Sequence, residues 1–394
     1  MKRVFLKKGR KKSLLLRHPW IFSGAIDKVD DGIMPGDIVE VYDYNGRFLA
    51  KGYINPKSQI TIRILSWSKE EDPLDPAFIR DRLRSAIKMR IKHFDQSITN
   101  AFRLVNSESD FLPGLIVDKY NDTIVVQILT LGMERLKDKI INFLIEYLSP
   151  NCIYERSDTH IRKKEGLPLR KGLLYGRLEG NVEIVENGFK FLVDVEKGQK
   201  TGFYLDQRDS RKELLSFCKG KTVLDCFAYT GAFSVYAIKG GASYSVNIEF
   251  SSNAIELAKK IAKLNHINNS QEFLEGDAFE LLRYMKKKGR KFDLIVLDPP
   301  KFAHTQQDID RALRGYKDIN LQAMKLLNPG GILFTFSCSG AISLEIFSKT
   351  ITWAAMDAKR SVQVIKRLGL PVDHPHLTSF LESEYLKGLV CRVI

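Results

Sequence analysis

The stretch TVLDCFAYTGAF, residues 222–233, joins an apolar strand to a turn that contains Gly231. The apolar residues of 222–226 predict a buried strand, and a glycine in the turn lets the backbone approach a ligand closely. The glycine pattern is sparse, and the GxGxxG sequence of dinucleotide-binding folds is lacking. The turn therefore indicates a ligand-binding strand end without specifying the ligand.

Alternation of strands with helices continues through the C-terminal half of the chain. Further strands are predicted at 244–249, 272–275, 292–297, 332–336 and 385–394, with helical stretches between the first five. This alternation predicts a parallel sheet with helices on both faces. We expect residues 186–394 to form an α/β domain of this kind.

Three acidic residues stand at the ends of successive predicted strands. Asp225 lies in the first strand, Glu249 ends the second, and Asp277 follows the third, beside Ala278. Ligands of open parallel sheets bind beyond these strand ends, where acids accept hydrogen bonds from ribose hydroxyls or an adenine amino group. Each acid alone is equally typical of a helix cap. Together they favour a cationic, phosphate-free nucleoside, S-adenosylmethionine, over a dinucleotide.

Reactive side chains follow the next two strands. The fourth strand is followed by Asp298-Pro299-Pro300-Lys301-Phe302, and the fifth by Ser337-Cys338-Ser339-Gly340. Because these strands are expected to be neighbours, Asp298 and Cys338 should flank one pocket. The prolines restrict the backbone there, and Phe302 suits stacking on a planar base. A buried structural role is the usual alternative for a cysteine, but a polar Ser-Cys-Ser run is not typical of a core.

The N-terminal residues 1–75 read as a small β-rich unit. Residues 36–43 alternate between apolar and polar, and Asn45-Gly46 is typical of a hairpin turn. The first twenty residues carry eight basic side chains and no acid, among them Lys7, Lys8, Arg10, Lys11 and Lys12. Basic residues interleaved with aromatics suit an RNA backbone and stacked bases, and the alternative is a solvated basic edge.

The middle of the chain, residues 76–185, is predicted to be a mixed α and β domain. Helices are predicted over 77–94 and 133–148, and strands over 102–105, 115–117 and 123–129. The apolar spacing of the first helix leaves arginines and lysines on its other side.

Composition narrows the partners and the compartment. The net charge of +15 favours a polyanionic partner, either nucleic acid or an anionic membrane surface. No run of about 20 apolar residues predicts a membrane span. Five cysteines, an odd number without a CxxC pair, argue against disulfides or a zinc site and for the cytoplasm. We expect Cys218 and Cys391 to be structural, and Cys226 to be a packing residue.

These motifs, in this order, resemble the class I S-adenosylmethionine-dependent methyltransferases, and more narrowly the bacterial large-subunit ribosomal RNA cytosine-C5 methyltransferases. The resemblance covers the whole chain. Residues 7–24 resemble the family's RNA-binding PUA domain, and residues 108–118 resemble its central domain. The most specific matches are the runs 198–208, 298–302, 314–320 and 337–340. The resemblance implies a Rossmann-like methyltransferase domain after a PUA domain and a central α+β domain.

The resemblance also implies a mechanism and a set of site residues. Cys338 would add to C6 of a cytosine so that C5 can take a methyl group, while Asp298 holds the N3 and amino edge. The implied cofactor contacts are Thr201, Phe203, Asp225, Phe227, Tyr229, Gly231, Glu249, Asp277, Ala278 and Asp298. The expected RNA contacts are Lys7, Lys8, Arg10, Lys11, Lys12, Pro299, Lys301 and Phe302.

Two residues depart from the family's pattern. Glu249 stands where an aspartate is usual, and Phe111 stands where a glycine is usual. No residue is identified as the base that removes the C5 proton, and a structural role is expected for His374. Three alternatives stay open: an N-methyltransferase acting on RNA or protein, a non-catalytic RNA-binding protein and a small-molecule methyltransferase. Large-subunit ribosomal RNA is the expected partner, no metal is expected, and a homodimer is left open.

Overall fold

In the computed structural model, which describes residues 1–303 and 306–394, the chain forms two compact units. The first contains residues 1–185, 193–205 and 372–381. The second contains residues 186–192, 206–371 and 382–394. The segment 372–381 therefore belongs with the N-terminal half of the chain, although it lies beyond most of the predicted α/β domain.

A six-stranded sheet opens the first unit. Its elements are β1 (Lys2–Leu6), α1 (Lys12–Leu15), β2 (Trp20–Phe22), β3 (Ile26–Val29), β4 (Ile38–Tyr42), β5 (Phe48–Ile54) and β6 (Ile60–Ser66). The strand order is β2-β6-β5-β4-β1-β3. Val39 and Val41 of β4 are fully buried, and β4 pairs antiparallel with β5 across Gly46, whose φ is +76°. The predicted alternation and hairpin are confirmed.

A five-stranded sheet with four helices follows in the same unit. Its elements are α2 (Pro76–His93), β7 (Ala101–Asn106), β8 (Leu115–Tyr120), β9 (Thr123–Ile128), α3 (Leu131–Arg135), α4 (Lys137–Leu148), β10 (Cys152–Ser157), α5 (His160–Lys164) and β11 (Arg170–Gly176). The strand order is β11-β10-β9-β8-β7. The single helix predicted over 133–148 is wrong. Leu136 leaves the helical conformation, with φ −97° and ψ 0°, so two helices form.

Buried ion pairs join these two sheets. Arg63 of β6 contacts Glu108 at 2.8 Å and Glu165 at 3.1 Å, and all three side chains are buried. The Trp20 indole also donates to Glu108 at 2.8 Å. The hydrophobic cluster of the five-stranded sheet also includes Tyr53 and Leu65 of the six-stranded sheet, whose other buried residues form a second cluster. The division of this half of the chain into 1–75 and 76–185 stays a prediction.

The second unit is built on a seven-stranded sheet. Its strands are β14 (Thr222–Cys226), β15 (Tyr244–Glu249), β16 (Gln271–Glu275), β17 (Phe292–Leu297), β18 (Leu327–Ser337), β19 (Val362–Leu368) and β20 (Lys387–Val393). Its helices are α6 (Arg208–Leu214), α7 (Ala232–Lys239), α8 (Ser252–Leu264), α9 (Ala278–Lys287), α10 (Ile309–Leu326) and α11 (Leu344–Ala358). A separate two-stranded ribbon pairs β12 (Val182–Glu186) with β13 (Phe189–Val193).

The strand order of the large sheet is β16-β15-β14-β17-β18-β20-β19. Strands β14 to β18 run parallel, and β20 is antiparallel to both β18 and β19. The predicted parallel sheet is confirmed, as is the pairing of the fourth predicted strand with the fifth. Strand β19 was not predicted, because it is a largely exposed edge strand without a buried face.

Strand β14 lies in the middle of the parallel strands, between β15 and β17. Its Leu224, together with Val246 of β15, Ile295 of β17 and Leu333 of β18, is fully buried in one core cluster. Because parallel strands end at the same edge of the sheet, this core brings the ends of β14, β15, β17 and β18 together.

Candidate active site

A backbone turn in an unusual conformation follows β14. Phe227 and Tyr229 have φ values of +63° and +50°, and Gly231 has a φ of +73°. Two non-glycine residues in the left-handed region store backbone strain, which persists only where the surroundings hold the turn. Glu249, at the end of β15, does so, because its carboxylate accepts hydrogen bonds from the backbone N–H of Tyr229 at 2.8 Å and of Ser251 at 2.9 Å.

Asp225 is the most strongly perturbed acid at this edge. Its side chain is 1% exposed, and neither carboxylate oxygen has a partner in hydrogen-bond geometry among the described residues. Burial raises the pKa of Asp225 to about 8, the charge of Asp298 adds to the increase, and nearby Ser234 partly opposes it. Because ionisation of this buried carboxyl group is costly, a cation or a hydrogen-bond donor that arrives from outside the chain would stabilise its charged form.

Asp298 follows β17 and is held from a neighbouring segment. Its Oδ1 accepts a hydrogen bond of 2.9 Å from Nε2 of Gln207, which is 2% exposed. The backbone N–H of Asp298 lies 3.5 Å from the carbonyl oxygen of Cys226, at the end of β14. Because β17 lies between β14 and β18 in the sheet, Asp298 lies between the ends of these two strands.

Cys338 follows β18 directly, and it differs from the other four cysteines. Those four are buried, whereas Cys338 is partly exposed. Its Sγ lies 3.8 Å from the carbonyl oxygen of Pro299, in the loop after β17. The expected shared location of Asp298 and Cys338 at neighbouring strand ends is confirmed by the pairing of β17 with β18.

Hydroxyl groups hold the strand end on both sides of Cys338. Ser337 donates to the hydroxyl of Tyr316 at 3.1 Å, and the Tyr316 and Ser339 hydroxyls are 3.4 Å apart. Ser339 also accepts a hydrogen bond from the backbone N–H of Ala303 at 3.3 Å. All three hydroxyl side chains are fully buried. The two serines of the Ser-Cys-Ser run thus take part in a buried hydroxyl network, while the cysteine between them is partly exposed.

The comparisons with known proteins agree with this geometry. A family described as S-adenosylmethionine-dependent methyltransferase matches residues 172–391, and a PUA-like domain matches residues 4–67. A protein of Tolumonas auensis named Ribosomal RNA large subunit methyltransferase I is 48% identical over 395 residues, which cover 99% of each chain. The chain belongs to this methyltransferase family. A relative of the same name from Vibrio cholerae is 46% identical, again with 99% of each chain covered.

The methyltransferase fold is also seen in a solved structure. SMU.776, described as a methyltransferase and crystallised with S-adenosylhomocysteine, superposes with a TM-score of 0.87 over 100% of both chains. Its sequence is 23% identical, so the likeness concerns the fold. S-adenosylmethionine is the methyl donor of the family, and the buried carboxylate of Asp225, without a described hydrogen-bond partner, fits a cationic ligand of this kind.

Asp277 and Ala278 occupy the start of α9 in this methyltransferase. Asp277 is exposed and caps the helix, because its Oδ1 accepts the backbone N–H groups of Phe279 and Glu280 at 2.8 and 3.1 Å. Ala278 is buried in the core cluster. The capping role leaves Oδ2 of Asp277 without a protein donor in the described part of the chain, so a ligand contact stays a prediction.

Thr201 and Phe203 belong to the first unit, whereas the other expected cofactor residues belong to the second. Both are buried. The Thr201 hydroxyl lies 2.7 Å from the hydroxyl of Tyr120 and donates to Asp118 at 2.7 Å. The Phe203 carbonyl lies 3.4 Å from the Tyr120 hydroxyl. The Thr201 side chain and the Phe203 backbone are therefore hydrogen-bonded to strand β8 of the five-stranded sheet, and their cofactor contacts stay predictions.

The N-terminal basic residues differ in how they are held. Lys11 forms an ion pair of 2.7 Å with Asp43, and Lys7 donates to the carbonyl oxygen of Gly24 at 3.2 Å. Lys8, Arg10 and Lys12 are exposed, and none of them has an ion pair in the described structure. These three basic side chains of the predicted RNA surface are thus exposed to solvent without a neutralising carboxylate in the described structure. RNA binding by the five N-terminal basic residues stays a prediction.

The predicted RNA contacts that follow Asp298 also differ in how far they are exposed. Pro299 is buried, and Lys301 is exposed without a carboxylate partner among the described residues. Phe302 is half-buried, with its ring centroid 4.7 Å from that of Tyr316 and 6.0 Å from that of Phe279. These contacts cover part of the Phe302 ring and leave less of it for the stacking on a base that the sequence predicted.

Several neighbours of the site were not assigned a role from the sequence. Gln207 lies within the run 198–208 that carries the family resemblance, but only the fold brings it to Asp298. Tyr316 lies in the matched run 314–320 and reaches Ser337 from α10. His374 is buried in the first unit, with Nδ1 3.3 Å from Asp373. This arrangement fits the structural role expected for it.

The described residues contain no group of three or more His, Cys, Asp or Glu side chains that is placed to hold a metal ion. Among the same residues, no helix combines the length and the apolar character that crossing a membrane requires.

Proposed function

We propose that this methyltransferase transfers a methyl group to C5 of a cytosine in large-subunit ribosomal RNA, with Cys338 as the nucleophile. The printed name of the relatives supports the RNA substrate. The observation that carries the chemistry is the position of Cys338. It is a partly exposed thiol that follows β18 beside Asp298, while the other four cysteines are buried.

The thiol addresses the main difficulty of the reaction, since C5 of cytosine is a poor nucleophile. The thiolate of Cys338 forms a bond to C6, and the electron pair of the C5–C6 bond becomes available at C5. After C5 has gained the methyl group, its proton leaves to a base, and the bond between Sγ and C6 breaks. Asp298 is proposed to hold the N3 and amino edge of the ring while charge develops there.

The residues at the strand ends are proposed to hold the cofactor. Glu249 would accept hydrogen bonds from the ribose hydroxyls, Asp277 would accept one from the adenine amino group, and Asp225 would face a positively charged part of the ligand. The turn 227–231 would lie against the same ligand. When bound, S-adenosylmethionine supplies an electrophilic methyl group.

RNA contacts are proposed for the exposed basic residues of the PUA-like domain. Lys8, Arg10 and Lys12 carry charges that no described carboxylate neutralises, and phosphate groups of RNA would do so on binding. In the second unit, Lys301 is proposed to contact the RNA near the target base. RNA contacts are also proposed for Lys7, Lys11, Pro299 and Phe302, whose protein contacts leave less surface for RNA.

The decisive experiment is a covalent trap. RNA with 5-fluorocytosine at the target position cannot lose its C5 substituent, so the enzyme should remain joined to it through Cys338. Cys338→Ala should bind S-adenosylmethionine and RNA but transfer no methyl group, while the matched change of buried Cys391 should leave activity within about threefold. Normal turnover by Cys338→Ala, or an adduct on another cysteine, would contradict the mechanism. Methyl groups found on a base nitrogen would favour an N-methyltransferase instead.

We also propose that the protein acts in the cytoplasm, where ribosomal RNA is available and where its five free cysteines would stay reduced. Cell fractionation with an antibody against the protein tests the compartment. A homodimer stays a prediction, and sedimentation of the full chain with and without RNA tests it.

A further inference from the structure

Lys387 places a buried cation at the strand end that carries Cys338. It opens β20, opposite Ser337 in the antiparallel ladder between β18 and β20. Its side chain is 8% exposed. The ammonium donates to the carbonyl oxygen of Ser339 at 3.1 Å and to that of Tyr385 at 3.2 Å. Lys387 therefore reaches past the backbone of Cys338 and is tied to the residue that follows it.

This cation has no carboxylate partner within ion-pair distance in the described part of the chain. The two carbonyl oxygens account for two of its three N–H donors. Burial lowers the pKa of Lys387, the charge of Lys301 adds to the decrease, and interactions with Glu384 and Cys338 oppose it. A buried ammonium whose hydrogen-bond acceptors are neutral carbonyl oxygens is costly, and a negative charge formed nearby would compensate for part of that cost.

We infer that Lys387 is a positioning residue that stabilises the thiolate form of Cys338. The inference rests on the proposed role of Cys338 as nucleophile. When the thiol loses its proton to solvent, the resulting negative charge lies at the same strand end as the buried ammonium. Since the surroundings are largely desolvated, the attraction between the two charges is stronger than in water. A nearby lysine is one of the environments that lower the pKa of a cysteine.

Other charged or titratable groups also act at this strand end. Asp298, after β17, carries a charge that disfavours a thiolate, and Lys301 of the same loop favours one. Tyr316 of α10 is neutral, because burial raises the pKa of its hydroxyl. Lys387 is the buried cation of this group, whereas Lys301 is exposed and more strongly screened. We therefore expect the larger contribution from Lys387.

The test is the pH dependence of alkylation of Cys338 in the full-length protein without RNA. Iodoacetamide reacts with the thiolate, and mass spectrometry of the Cys338 peptide measures the rate. Partial exposure makes Cys338 the preferred target over the four buried cysteines. Lys387→Met should slow alkylation at neutral pH by about tenfold and move the profile to higher pH. Lys387→Arg, which keeps the charge, should restore the rate to within about threefold.

Lys366 provides the matched control. It lies on the neighbouring strand β19, is half exposed, and pairs with Glu213 across the surface. Lys366→Met should leave the alkylation profile of Cys338 unchanged. A purely structural role for Lys387 would lower stability without moving that profile. Superimposable profiles for wild type and Lys387→Met, with the fold intact by circular dichroism, would overturn the inference. If Lys387→Met does not fold, Lys387→Gln replaces it and is judged by the same criterion.

Methyl transfer provides a second readout that separates this inference from the proposed function. Lys387→Met should lower kcat more than KM for RNA, with partial recovery at higher pH, because more of the thiol ionises there. If Cys338→Ala still transfers methyl groups, the proposed function fails, while the alkylation result for Lys387 stands on its own. If Cys338 is essential but the pH profile of its alkylation is the same in wild type and Lys387→Met, the inference fails and the proposed function stands.

Discussion

Replacing Asp225 with asparagine should stabilise the protein in the absence of cofactor, and more so at about pH 8 than at about pH 5. The carboxyl group of Asp225 is buried without a partner in hydrogen-bond geometry among the described residues, and its pKa is raised to about 8 from 3.8. Folding therefore favours the protonated form. Stability from this group is fully present below about pH 4 and is lost as the pH rises toward about 8.

The size of the effect follows from the same values. At about 1.4 kcal/mol for each tenfold change in the ionisation equilibrium, the loss between about pH 5 and about pH 8 has a ceiling near 4 kcal/mol. Water that reaches the edge of the sheet reduces this figure, and we expect roughly 1–3 kcal/mol. The introduced amide would not titrate, so the difference in unfolding free energy between variant and wild type isolates Asp225.

Scanning calorimetry of the full chain at several pH values measures this difference. The relevant transition is the one that S-adenosylhomocysteine shifts in the wild type. The same Asp225→Asn variant should bind S-adenosylmethionine more weakly. A difference in stability that is constant between about pH 5 and about pH 8 would refute the reasoning.

Glu249→Ala should weaken S-adenosylmethionine binding by about 1–3 kcal/mol in calorimetric titration, because it removes a charged acceptor and also releases the strained turn whose Tyr229 N–H the carboxylate holds. Unchanged affinity would argue against this site. Changing Lys8 and Lys12 to alanine should weaken RNA binding and flatten its salt dependence in fluorescence titrations, and Lys11→Ala, whose charge Asp43 already neutralises, should do so less. Equal salt slopes would make this surface a solvated edge. Glu186→Ala should cost about 3–5 kcal/mol of unfolding free energy, because it removes the buried carboxylate that pairs with buried Arg211 of α6. A loss below about 1 kcal/mol in denaturant unfolding would show that the pair is dispensable.

The prediction of the site succeeded where local pattern decides the position. Strand β14 has the predicted bounds, and β17 ends where the sequence places Asp298. Parallel neighbours in a doubly covered sheet must end together, so Asp225, Glu249 and Cys338 could be assigned to one edge without coordinates. The break at Leu136 was missed, because an unbroken helical pattern spans a residue whose backbone leaves the helix.

The sequence by itself determined the parallel sheet, the acids at its strand ends and the polar run around Cys338, because buried strands and strand-end ligands leave a local signature. Only the tertiary structure decided which side chains from distant segments meet them. Gln207 reaches Asp298, and Lys387 reaches the carbonyl after Cys338, through strand order and register. Nothing in the local sequence distinguishes Lys387 from an ordinary surface lysine. Its burial without a carboxylate partner among the described residues depends on the antiparallel insertion of β20 between β18 and β19, which is a non-local event.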